Sequence, residues 1–133
     1  MSWKETLATA CRERAGDALL GIGYYEEGDY EVLYLQEGYE DVYTAERVHD
    51  IARDAYLENL SEEFQESLYH EFGCIRATIR LFEGGIVVHA RLTDQRGLVF
   101  GVADSSLNIV EELLDATDEQ IPDGDIGAEL PQS

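Results

Sequence analysis

The 133 residues carry 29 acidic against nine basic side chains, a formal net charge of −20, with 44% hydrophobic residues. One domain of ordinary core content fits that length and composition. The charge excludes a nucleic-acid binder, whose affinity comes from cationic contacts to phosphates. It also sets an environment. Eight of the nine bases are arginine, with Lys4 the only lysine. Such self-repulsion opposes a compact state in dilute buffer. At ~1 M salt the screening length falls to ~3 Å, and the same acids then serve hydration. The composition therefore predicts a halophilic, cytoplasmic protein. The N-terminus lacks the apolar segment of a signal peptide, and no apolar run reaches the ~20 residues of a membrane span. Cys11 and Cys74 are far apart, with no CxxC and no clustered histidines, so neither a disulfide framework nor a zinc site is expected.

Ser2 and Glu5 form a capping box ahead of Trp3, Leu7, Cys11, Ala15, Ala18 and Leu19 on one helical face, with Gly21 as the stop. A tyrosine-rich hairpin follows. A turn at Gly28-Asp29 would pair Tyr24 with Leu33 and Ile22 with Leu35, leaving Tyr25 and Val32 on the other face. Thr44 caps a second helix with Val48, Ile51, Ala52 and Ala55 as its apolar stripe. Ser61 reads as a fresh cap, so the helix is expected to be interrupted and Phe64 and Leu68 to belong to a separate segment. Strands follow at about 74–82 and 86–93. A Gly84-Gly85 turn would set Leu81 opposite Val88, Ile79 opposite Ala90 and Ala77 opposite Leu92. A loop at Gln95-Arg96-Gly97 would then pair Leu92 with Phe100 and Ala90 with Val102, with the last strand ending near Ala103. Ser105 caps a final helix carrying Leu107, Val110, Leu113 and Leu114. Residues 1–116 make one domain, and the aperiodic 117–133 read as a disordered acidic tail.

Helix, two strands, interrupted helix, three strands, helix is the pattern of an α+β domain built on a five-stranded antiparallel sheet. This order over residues 2–116 resembles roadblock-type dynein-light-chain domains and their profilin-like relatives. The resemblance implies a homodimer joined edge to edge. The stretches Asp29-Tyr-Glu-Val-Leu-Tyr-Leu35 and Ile79-Arg-Leu-Phe-Glu-Gly-Gly85, and the helix between them, resemble small acidic haloarchaeal proteins of unassigned function.

No motif for a catalytic nucleophile, metal site or phosphate-binding loop occurs, so neither catalytic residues nor a cofactor is predicted. Acid pairs such as Glu26-Glu27, Glu62-Glu63 and Glu111-Glu112 read as solvated surface. Two local features stand out. Residues 74–103 hold four arginines and two acids, and the expected registers put Arg76, Arg80, His89 and Arg91 on one sheet face, with Arg80 opposite His89 and with Gly101 and Ala103 beside Arg91 and His89. That face could hold an anionic ligand or acidic partner. The preferred reading is internal pairing, with the face covered by the helix in residues 37–72, where eleven acids stand against two arginines. The second feature is a set of interface candidates, Tyr25, Tyr30, Tyr34, Ile75 and Ile79. Together they suggest a non-catalytic interaction module, the alternative being a small-molecule sensor or minor enzyme using the Arg/His face.

Overall fold

In the computed structural model, residues 2–93, 95–103 and 107–121 are described. Helix α1 (Trp3–Ala15) opens on the expected cap, the Ser2 hydroxyl accepting from the Glu5 amide at 3.2 Å. It ends earlier than the apolar spacing suggests. Gly16, at φ 58°, closes it and a short 3₁₀ turn leads directly into β1 (Leu19–Glu26), so Leu19 is a strand residue. β2 (Asp29–Leu35) returns antiparallel. Helix α2 (Ala45–Leu68) follows, then β3 (Ala77–Phe82), β4 (Gly85–Arg91), β5 (Arg96–Val102) and helix α3 (Leu107–Gln120). The sheet order is β2-β1-β5-β4-β3 with all neighbours antiparallel.

The hairpin registers differ from those read off the glycines. Each turn falls one residue earlier, at Glu27-Gly28 and Glu83-Gly84, so Glu26 faces Asp29 and Phe82 faces Gly85. Glu27 takes a positive φ, 55°, although it is not a glycine. Leu81 thus meets Ile86, Ile79 meets Val88 and Ala77 meets Ala90. This is a two-residue slide, which preserves the face of every side chain because strand periodicity is two. The third connection is also shifted. Gln95-Arg96-Gly97 is not the loop, since Arg96 and Gly97 belong to β5 and Ala90 pairs with Leu98. The Thr93 hydroxyl fastens the true loop by accepting from the Gln95 and Arg96 amides at 3.2 and 3.1 Å. In the first hairpin an irregularity between Ile22 and Gly23 changes parity. Tyr34 comes opposite Ile22, and Leu35 opposite Gly21 on the other face.

One sheet face packs under α1 and α3. Leu7, Cys11, Ile22, Val88, Leu98, Phe100, Leu113 and Ala116 form its fully buried centre, each large side chain contributing about 1.5–3 kcal/mol by leaving water. Burial pushes the Cys11 thiol up to about 12, so it stays protonated and inert, whereas Cys74 is exposed and free. Helix α3 runs past the expected domain end at residue 116. Thr117 and Ile121 are buried, Ile121 within the core, and 122–133 lie outside the described residues, as does Ser105. No helix among the described residues is long and apolar enough to cross a membrane.

Candidate functional site

The opposite sheet face is covered by α2, which is a single helix of 24 residues. Ser61 does not restart it. Its hydroxyl bonds back to the Glu58 carbonyl at 2.9 Å, a use of serine compatible with an uninterrupted helix. Along α2, Asp54, Glu58, Glu62 and Glu66 recur every four residues and therefore align on one side. That side faces the sheet. Antiparallel parity puts Tyr25, Arg80, Val87, His89 and Arg91 on the face beneath it.

The two rows interlock. Arg80 donates to Asp54 Oδ2 at 2.9 Å and Glu58 Oε2 at 2.6 Å. His89 Nδ1 lies 2.5 Å from Glu58 Oε1, and His89 Nε2 lies 2.7 Å from the Tyr25 hydroxyl. Asn59 Nδ2 donates to that hydroxyl at 2.5 Å. His89 thus links Glu58 of α2 to Tyr25 of β1 through its two ring nitrogens. Arg91 bridges Glu62 at 3.3 Å and Glu66 at 3.2 Å, and Glu66 Oε2 also accepts from the Ile75 amide at 2.7 Å.

Glu62, one of the acids assigned to solvated surface, is 1% exposed. Its Oε2 has no hydrogen-bond partner among the described residues. Burial raises its carboxyl above the ordinary value, opposed by His89 and Arg91. Glu58, Glu62 and His89 bring possible ligand atoms within 4.8 Å of one another. However, both ring nitrogens of His89 are engaged and the Arg91 guanidinium already stands against Glu62. A cation placed there would face a fixed positive charge. The arrangement acts as an internal ion network that seats α2 on the sheet. Its hydroxyl held against an imidazole, that of Tyr25, is 1% exposed and shielded from solvent.

Of the predicted Arg/His face, Arg80, His89 and Arg91 come together. Their neighbours differ from expectation: Thr78, not Arg80, is opposite His89, and Gly97 and Val99, not Gly101 and Ala103, flank Arg91 and His89. Arg76 lies before β3 and pairs with Asp118 of α3, in the other layer. Among the interface candidates, Tyr25 is 1% exposed and belongs to the network, which removes it from any surface. Tyr34 packs partly against the core with Arg12 over its ring at 4.8 Å. Tyr30 sits at the sheet margin, bonded to the Ala45 carbonyl at 3.2 Å. Ile75 is half-buried and Ile79 is 42% exposed on the β3 edge. The acidic row on α2 was missed as a unit, and its four-residue spacing was the available signal.

The outward side of α2 is apolar. Leu57, Leu60, Phe64 and Leu68, spaced as one helical stripe, are 50–67% exposed, and Phe72 just beyond is 79% exposed. Its sheetward side holds the buried Asn59 and Glu62, so the usual amphipathic polarity of a helix on a sheet is inverted over this half.

The model of a Domain of unknown function (DUF7522) matches residues 5–121. The chain belongs to that family. No curated protein matches it. Among solved structures, Myxococcus xanthus MglB is similar over 98% of this chain and 93% of its own, at 10% identity and a TM-score of 0.62. At that identity the likeness concerns the fold, and it agrees with the roadblock-like layered α+β architecture expected from the element order.

Proposed function

We propose that this protein is a non-catalytic interaction module that works as a homodimer in a salt-rich cytoplasm. The inverted polarity of α2 carries the reading. Burying carboxylates while exposing Leu60, Phe64 and Leu68 is unfavourable in an isolated protomer, and becomes favourable when a second surface covers the stripe. The neighbouring edge supports the same partner. Among the described residues β3 pairs only with β4, and its Ile79, Leu81 and Phe82 are 42%, 65% and 57% exposed. An unblocked edge whose one charge, Arg80, is paired to α2 suits a two-fold interface with a second copy of this chain. Ile75 and Ile79 keep their place in that interface, whereas Tyr25 does not.

A ligand role for the Arg/His face is not retained, because α2 lies across it and its carboxylates occupy Arg80 and Arg91. The test is light scattering in molar KCl. The wild type should show twice 14.9 kDa, and Leu60→Glu with Phe64→Glu should halve that mass without loss of helical signal. A wild-type monomer at micromolar concentration would overturn the proposal. The salt assignment rests on the 29 acids and single lysine. It requires the thermal midpoint to rise between about 0.05 M and about 2 M KCl, where charge screening becomes nearly complete.

A further inference from the structure

A cavity of about 440 Å³ opens between the N-terminal half of α2 and the β2-β1-β5 side of the sheet. Its size falls in the range of small-molecule sites. Its floor includes Gly21, Gly23 and Gly101, and Val48, Ile51 and Val99 are among its apolar walls. The floor glycines face α2 because Gly23 pairs with Val99 and Gly21 with Gly101. The fold does not demand glycine at two of these positions. Neither Gly23 nor Gly101 has a positive φ, a Cβ on Gly23 would meet nothing within 4 Å, and one on Gly101 would meet only Leu20 Cβ at 3.8 Å. Glycine inside a strand weakens it and marks a place where something approaches the backbone closely. Here the missing side chains keep a flat, apolar slot open.

The rim carries charge of both signs one helical turn apart. Arg47 stacks on Tyr43 at 4.8 Å and donates to the Val42 carbonyl, with no carboxylate partner among the described residues. Asp50, three residues on, likewise has no described cationic partner, while the other rim pair, Arg80 and Asp54, neutralise each other. An unmatched cation and an unmatched anion beside an apolar slot complement a zwitterion with a large hydrophobic body. We propose that this cavity binds an α-amino acid with a large apolar side chain, its carboxylate toward Arg47, its ammonium toward Asp50 and its side chain over the glycine floor.

The experiment titrates the full chain in molar KCl with L-tryptophan, with 3-indolepropionate (no ammonium) and with tryptamine (no carboxylate), following amide shifts by NMR. L-tryptophan should move the Gly21, Gly23 and Gly101 resonances, and each truncated probe should bind at least fivefold more weakly. Gly23→Val and, independently, Gly101→Val should remove binding while the fold is kept. Arg47→Gln should weaken L-tryptophan and 3-indolepropionate but leave tryptamine unchanged, and Asp50→Asn should do the converse. No shift at millimolar L-tryptophan would overturn the proposal. So would shifts confined to Phe64 and Phe72, unaltered affinity in both valine variants, or 3-indolepropionate binding as tightly as L-tryptophan.

Discussion

Gly97→Ala tests whether the polar network beneath α2 is as fixed as its bonds imply. A Cβ at Gly97 would lie 2.4 Å from the Tyr25 hydroxyl oxygen and 2.6 Å from Cε2 and Cζ of the same ring. Ordinary contact would require the ring to move by about 1 Å, and overpacking of this kind costs about 1–3 kcal/mol. The ring is not free to yield, because its hydroxyl is bonded to both Asn59 and His89. Losing those two bonds adds about 1 kcal/mol each. A total of about 3–5 kcal/mol follows, equivalent to a thermal midpoint lower by about 10 °C or more in a domain of this size. Denaturant unfolding in molar KCl reads the effect, and Tyr25→Ala supplies the control. With the ring removed, the same Gly97→Ala change should cost less than about 1 kcal/mol, a coupling expected only of residues in contact. Equal costs in the two backgrounds would refute the reasoning. So would a Gly97→Ala cost as small as that of Gly23→Ala, whose Cβ meets nothing within 4 Å.

The two buried-face arginines should differ in weight. Arg91→Ala strands Glu62, 1% exposed, without its cation and should cost about 3–5 kcal/mol, whereas Arg80→Ala breaks a half-exposed pair and should cost about 1 kcal/mol, both read by unfolding. Glu62 itself sets a pH dependence. Its folded carboxyl is raised by burial, so its contribution is fully present below the unfolded pKa and is lost as pH rises through the folded one. Glu62→Gln should therefore improve relative to wild type as pH climbs from the acid range to neutrality, and parallel stability profiles would contradict that direction.

Composition and periodicity determined the environment expected of this protein, the order of its elements and the two faces of its sheet. Strand parity is local, so sliding each hairpin turn by one residue left Arg80, His89 and Arg91 on one face and Ile79 and Leu81 on the other. The turn positions were not legible, because a glycine beside a glutamate fits either place in a tight turn. Only tertiary packing put the positive φ on Glu27 and drew Gly97 into β5, where the Tyr25 ring leaves no room for a side chain. The greatest reversal is α2. Periodicity alone assigns its apolar residues to the core and its acids to water. The sheet beneath it presents arginine and histidine, so the carboxylates turn inward to pair with them, and Leu57, Leu60, Phe64 and Leu68 are left facing outward. A helix buries the side that its neighbour complements, and that neighbour is known only once the chain is folded.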